Sequence, residues 1–394
     1  MSPSARIADR QSYHFLHLLA ALRPHWRADR NLPARLQRLL AANPAFGARD
    51  RRLYRELVFT VLRHLPWIEP LLAARPEEAV RITAWLAAET KDTHAFRTVL
   101  ATGTPPTGEL GELLPAWFRG HCPAVFLPDE LAALRRRAPI WLRMQSDGAE
   151  DVLAEFAARG WSCSPSSVLP GALRLDTEAD VTQTEAFRAG LFEVQDLGSQ
   201  LVLAGVGVTP GDRWLDACAG AGGKSLQLAR LLGPAGQVDA ADPRPDALAE
   251  LKIRAARAQL ANITVMSHTA ATGYDGVLVD APCSGTGTWR RAPHLKWCTT
   301  AADIAAHASR QLDILSRHAP LIRPGGLLVY ATCSLSRVEN HDVAAAFLAM
   351  TPAFAPAPLH RRFDFPADGQ ALTILPSRHD TDGFFVAAFR RKSD

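Results

Sequence analysis

Lysine is scarce in this chain: Lys91, Lys224, Lys252, Lys296 and Lys392 are the only five among 394 residues, so nearly all positive charge is arginine. Paired cysteines are missing as well. The six cysteines (Cys122, Cys163, Cys218, Cys283, Cys298 and Cys333) are scattered, with no CxxC pair, which excludes a zinc ribbon and offers no disulfide framework. His268 and His294 lack partners at metal-ligand spacing, and no metal is expected. Long apolar runs are absent too. The stretch from Phe15 to Leu22 is short and closes at Arg23, so neither a signal peptide nor a membrane span is expected. A reducing compartment, the cytoplasm, follows as the expected location. No internal repeat or low-complexity tract occurs.

What is present describes a globular chain. Hydrophobic residues make up 47% and charged residues 21%, enough apolar material for a core. At this length a single core stops growing, so two or three domains are expected. The net charge of +4 allows an anionic partner without demanding one.

The first third carries helical periodicity, as in Tyr13 to Leu22, Leu36 to Ala42, Leu53 to Leu65 and Val80 to Ala88. Arginines outnumber acids there, which suits either a solvated outer face or a phosphate-binding one. A Gly/Pro-rich stretch from Thr102 to Pro115 loosens the pattern. A helix over Glu130 to Arg137 and an extended run at Ile140 to Met144 then indicate a small α/β connector. From about Leu201, short apolar runs alternate with helix-length segments, which predicts a doubly wound, mostly parallel sheet. The expected division is a helical domain over 1–125, a connector over 126–205 and an α/β domain over 206–394.

The segment DACAGAGGKS at 216–225 follows the first of these strands and opens a helix. Glycines there let the backbone turn tightly, and free N–H groups at the helix start favour negative charge. A phosphate-binding loop needs glycine where Cys218 stands, and a dinucleotide fingerprint needs glycine where Ser225 stands. S-adenosylmethionine is the third option, with Asp242 at the end of the next strand placed for ribose hydroxyls. Asp216 reads either as part of this site or as a turn carboxylate.

Two further segments end strands: Asp280-Ala281-Pro282-Cys283 and Tyr330-Ala331-Thr332-Cys333. One buried cysteine is usually a small hydrophobe. Two at adjacent strand ends, facing one cleft, suggest nucleophilic chemistry on a pyrimidine. A thiolate adding at carbon 6 turns the ring into an enamine whose carbon 5 can attack a methyl sulfonium. Asp280 could bind the N3 and amino edge, and a helix start, Lys296 or an arginine could favour the thiolate.

Read together, the segments at 190–196, 216–225, 280–297, 330–340 and 381–391 resemble the RsmB/Fmu (Sun) family of ribosomal-RNA cytosine-C5 methyltransferases. The resemblance implies a Rossmann-like class I methyltransferase sheet, preceded by an all-α NusB-like RNA-binding domain, to which 48–64 is similar. It implies Cys333 as nucleophile, Cys283 as the thiol that assists product release, and Asp280 as a catalytic carboxylate. Cofactor contacts are implied for Cys218, Ala219, Gly220, Ala221, Gly222, Gly223, Lys224, Asp242 and Asp280, with S-adenosylmethionine as cofactor and RNA of the 16S ribosomal type as partner of a monomer. One departure is Ser267-His268-Thr269-Ala270, where the family carries an acid near the adenine.

Two neighbouring features carry two readings each. Ser336-x-x-Glu339 before an apolar helical run is expected to be a capping box rather than a catalytic acid. Arg290, Arg291 and Lys296 flank Trp289 and Trp297, an interleaving that suits phosphate contact and base stacking, or else a loop with two packed indoles. The alternatives at the level of function are a transfer-RNA methyltransferase, a non-catalytic RNA-binding assembly factor on the same fold, and a P-loop NTPase.

Overall fold

Leu53, Leu57 and Val61 recur every four residues along the helix Ala48–Arg63, and the adjacent Tyr54, Val58 and Leu62 widen the stripe into a buried face. That face packs against Phe15, Leu19 and Leu22 of Pro3–Leu22, Leu36 and Leu40 of Leu32–Ala42, and Val80 and Ile82 of Pro76–Leu86. Each fully buried leucine or valine here contributes roughly 2 kcal/mol. The structure, a computed structural model, describes residues 3–266, 271–366 and 368–393. Among these, no single helix is long and apolar enough to cross a membrane.

The chain forms two compact units. The first holds Met1–Arg137 together with Thr288–Thr300, and the second holds Ala138–Gly287 and Ala301–Asp394. The small sheet thus shares a unit with the large one, and a late segment joins the helices. In the helical unit, Trp297 Nε1 donates to the Leu62 carbonyl at 2.7 Å, and the rings of Trp289 and Phe118 lie 4.7 Å apart.

The second unit contains two sheets. The smaller is antiparallel, with strands β1 (Ile140–Met144), β2 (Cys163–Pro165), β3 (Ala172–Leu175) and β4 (Phe192–Val194) in the order β2-β3-β1-β4. Leu142 and Phe192 of this sheet pack on Val152 and Phe156 of the helix Glu150–Ala158. Arg143 of β1 ties it to the larger layer: its guanidinium donates to the Gln195 side chain and, at 2.8 Å, to the Gly223 carbonyl.

The larger sheet comprises β5 (Arg213–Asp216), β6 (Gln237–Ala240), β7 (Ile263–Val265), β8 (Tyr274–Asp280), β9 (Ile322–Thr332), β10 (Phe354–Ala357), β11 (Leu372–Ile374) and β12 (Phe384–Arg391). The order is β10-β12-β9-β8-β5-β6-β7, with β11 on β12. The pairs β5–β6, β6–β7, β5–β8 and β8–β9 are parallel, and β12 runs antiparallel to β9. Val277, Leu278 and Val279 are buried without alternation because helices cover both faces. This is the doubly wound α/β sheet expected from sequence. The chain leaves β5 in one direction for β6 and later returns on its other side with β8, which opens a crevice at the carboxyl ends of these strands.

Candidate active site

β5 ends at Asp216, and the chain then turns sharply into the helix Gly223–Leu232. Gly222 adopts φ +91°, and a Cβ there would lie 2.7 Å from Leu251 Cγ, so only glycine permits this turn. Asp216 braces the turn from beneath. Its carboxylate accepts from Ser225 Oγ at 2.6 Å and from the Cys218 amide at 3.3 Å. Burial pushes its pKa up to about 7, against the lowering effect of the Ser225 bond. Asp216 is a turn carboxylate, and Ser225 occupies the dinucleotide-fingerprint position because its hydroxyl serves that carboxylate.

Above the turn lies a cavity of about 790 Å³, within the range of small-molecule sites. Cys218, Ala219, Gly220, Ala221, Gly223, Lys224, Asp242 and Asp280 all line it, whereas Gly222 shapes it from behind. Asp242 accepts from the Gly220 amide at 2.9 Å, and Arg244 grips both its oxygens at 2.8 and 3.0 Å. The bonds from Arg244 hold the Asp242 carboxyl below its ordinary pKa. Burial pushes the Cys218 thiol up, which makes it cavity wall rather than a reactive group. The set fits a nucleoside bearing an amino acid: backbone N–H groups and a carboxylate for its polar ends, with Pro243, Pro282 and Ile314 as apolar surface.

β8 and β9 pair with Asp280 opposite Ala331, which brings the two cysteine-bearing loops side by side. Cys283 Sγ and Cys333 Sγ lie 3.3 Å apart as free thiols. The Cys283 pKa is raised well above its ordinary value, first by the hydrogen bond with Cys333, then by burial, then by the charges of Cys333 and Glu339. Cys283 is therefore held as a thiol. Lys224 Nζ donates to Asp280 Oδ2 at 2.8 Å and stands 5.2 Å from the Phe384 ring centroid. This ammonium, on the helix opened by the glycine turn, fixes the carboxylate that sequence reasoning had assigned to base recognition.

Glu339 departs from the capping-box expectation. Ser336 forms no side-chain cap. The Glu339 carboxylate instead accepts from the Ser284 amide at 2.7 Å, from the Ser284 hydroxyl, from Ser334 Oγ at 2.6 Å and from Gln311 Nε2 at 3.1 Å. Ser284 and Ser334 each follow one of the cysteines, so one buried carboxylate joins both thiol loops. Gly287 closes the arrangement: a Cβ there would meet the Gly383 carbonyl oxygen at 2.1 Å, and its amide donates to the Cys333 carbonyl at 2.9 Å.

The basic and aromatic segment is also placed differently from its phosphate-binding reading. Arg290 and Lys296 are buried in the helical unit. Arg290 donates to the Arg136 and Arg137 carbonyls at 3.1 and 2.9 Å, and Lys296 Nζ to those of Arg63 and Leu113 at 3.0 and 2.9 Å. An ammonium so engaged is not the group that activates a thiol. Arg291 is exposed. His294 Nε2 lies 3.2 Å from the Arg30 carbonyl. The expected departure at Ser267 to Ala270 lies outside the described residues.

Sequence reasoning missed one wall of the cavity. Arg310, Asp313, Ile314 and Arg317 recur at three- and four-residue steps along Ala301–His318, which puts them on one helix face towards the site. That spacing was the available signal. Gln195 and Ser199 also line it, bonded to each other at 3.0 Å.

Residues 205–390 match the model of the family described as 16S rRNA methyltransferase RsmB/F. A Xanthomonas campestris ribosomal RNA small subunit methyltransferase B is 31% identical over 407 residues, which cover 90% of this chain and 92% of that protein. A Bacillus subtilis protein described as a probable ribosomal RNA small subunit methyltransferase B is 36% identical over 264 residues, 64% of this chain and 58% of that one. The chain thus spans between about half and three fifths of the length of most of the curated relatives it matches here, and nearly all of the Xanthomonas protein. Among solved structures, NSun6 from Pyrococcus horikoshii with SFG shares the fold, with a TM-score of 0.63, 19% identity and coverage of 73% of this chain and 99% of that one.

Proposed function

Since the chain belongs to the 16S rRNA methyltransferase RsmB/F family, whose members depend on S-adenosylmethionine, we propose that it methylates carbon 5 of a cytidine in 16S-type ribosomal RNA through a covalent cysteine adduct. The observation that carries this reading is the 3.3 Å approach of the Cys283 and Cys333 sulfurs beside Asp280 and the cofactor-sized cavity.

S-adenosylmethionine, held by the glycine turn, Asp242 and Lys224, supplies an electrophilic methyl group when bound. The Cys333 thiolate adds to carbon 6 of the cytosine, and the displaced ring electrons make carbon 5 nucleophilic. Asp280, oriented by Lys224, binds the N3 and amino edge and relieves charge on the ring. After carbon 5 takes the methyl group it gives its proton to water, the electrons of that bond close the double bond between carbons 5 and 6, and the bond from carbon 6 to Cys333 breaks to release the thiolate. Cys283, held protonated by its bond to Cys333 and by burial, assists that departure as a hydrogen-bond donor to the leaving sulfur, which regenerates the Cys333 thiolate. Two thiols suit this chemistry because one must be charged while the other is not.

The test is incubation of the chain with methyl-labelled cofactor and a 16S rRNA transcript, followed by nucleoside analysis. Label in 5-methylcytidine is expected. Cofactor binding with no label in any RNA would favour a non-catalytic factor and sink the proposal.

A further inference from the structure

The segment at 190–196 carries part of the family resemblance, yet the thiol chemistry makes no use of it. It contains β4 of the small antiparallel sheet. Glu193 of this strand is buried and accepts from two arginines of the helix Pro245–Arg257, from Arg254 Nη2 at 2.9 Å and from Arg257 Nη2 at 2.6 Å. Gly190 seats strand and helix closely: it adopts φ +72°, and a Cβ there would meet the Arg257 carbonyl oxygen at 2.1 Å. Arg254 carries the contact on to the glycine turn, where its Nη1 donates to the Ala221 carbonyl at 2.7 Å. From β1, Arg143 Nη1 donates to the Gly223 carbonyl at 2.8 Å. Burial pushes the Arg143 pKa down to about 9, against the Glu193 charge, so its guanidinium stays a cation at neutral pH. Ala221 and Gly223 flank Gly222 and line the cofactor cavity, whereas neither Arg143 nor Arg254 does. Both carbonyl oxygens are therefore engaged outside the cavity. The first turn of the helix Gly223–Leu232 has N–H groups without intrahelical acceptors. With the oxygens turned away, those N–H groups are what the turn offers a ligand. Arg143, Arg254 and Arg257 against Glu193 also leave a positive excess behind the turn, the sign that holds an anion at a helix start.

We propose that Arg254 and Arg143, linked through Glu193, are positioning residues for the amino-acid carboxylate of the cofactor. They touch no reacting atom. They fix the Ala221 and Gly223 peptides so that the amides of the turn meet that carboxylate, which makes the small sheet part of the cofactor site. The inference rests on the S-adenosylmethionine part of the functional reading and does not depend on which atom receives the methyl group.

The test is calorimetry on the full chain with two probes. S-adenosylhomocysteine carries the amino-acid carboxylate, and 5′-methylthioadenosine shares the nucleoside and thioether but lacks it. Arg254→Met keeps an aliphatic stem and removes the donor. Its affinity for S-adenosylhomocysteine is expected to fall roughly ten-fold, while that for 5′-methylthioadenosine stays within about two-fold. Arg254→Lys, which keeps the charge and a donor, should recover most of the loss. Glu193→Gln should show a smaller loss with the same selectivity, and it decides the matter if Arg254→Met does not fold. Equal weakening of both probes would reduce the arginine to a structural pin and overturn the proposal, as would unchanged affinity for both. A parent chain that binds neither probe overturns the cofactor reading along with it. A parent that binds both but methylates no cytidine leaves this inference standing while the proposed reaction fails.

Discussion

Glu339 holds Ser284 at two points, accepting from its backbone amide at 2.7 Å and from its hydroxyl with the other carboxylate oxygen. Because the same carboxylate takes Ser334 Oγ, the spacing of the two thiols depends on a residue that touches neither sulfur. Glu339→Ala strands several buried donors and should cost about 3 kcal/mol of stability, read by urea unfolding. It should also lower kcat by two orders of magnitude or more with little change in the KM for cofactor. Glu339→Gln, which restores shape but not charge, should recover part of the rate. It should also shift the pH profile of Cys283 alkylation to lower pH, since the Glu339 charge raises that pKa. A Gln variant with an unshifted profile would refute the electrostatic half of this account.

The two cysteines should fail differently. Cys333→Ala is expected to abolish methyl transfer and leave no adduct. Cys283→Ala is expected to leave protein covalently attached to RNA, seen as a slow band on a denaturing gel. Trapping by Cys333→Ala instead would exchange the two roles.

Asp216 predicts an unusual pH dependence of stability. Its folded pKa of about 7 lies above its ordinary value of 3.8, so the folded state binds this proton more tightly than the unfolded chain does. The stability tied to this proton is lost as pH rises from about 4 to about 7, by an order of 4 kcal/mol. Asp216→Asn should remove that slope. Urea midpoints at pH 5 and pH 8 decide the matter, with the variant gaining relative to the parent at the higher pH.

Arg244 competes for the carboxylate expected to receive the ribose. It is largely exposed, while the Asp242 side chain is only 4% exposed beneath it. An exposed arginine held this way is worth no more than about 1 kcal/mol. Arg244→Ala should tighten S-adenosylmethionine binding by a few-fold in calorimetry. Weaker binding would mean that Arg244 itself contacts the cofactor.

The sheet and the thiols were readable in the sequence because both depend on short range order. Val277 to Val279 is a continuous apolar run, as a strand buried on both faces must be, and Cys283 and Cys333 sit just beyond two such runs. What escaped depends on partners distant in the chain. Glu339 mimics a capping box locally, and nothing near it announces Ser284. Arg290 and Lys296 look the same in sequence whether they face a phosphate or end on carbonyl oxygens of a helical unit. The three-residue strands Cys163–Pro165 and Phe192–Val194 are too brief to show alternation. Phe354–Ala357 contains Pro356, which argues against a central strand and is tolerated because this strand lies at the sheet edge.

The contact between Gly287 and Gly383 leaves space for a hydrogen atom and nothing larger. With Glu339 fastened on the other side, the cysteine loops have no slack to reach outward for a base. On the proposed mechanism, all the travel in the reaction would then fall to the nucleotide, which would have to leave its stack and come to the sulfurs. An RNA segment already unpaired at the target pays least for that journey. On that mechanism, selection among cytidines would be handed to the folding of the RNA as much as to the shape of the protein.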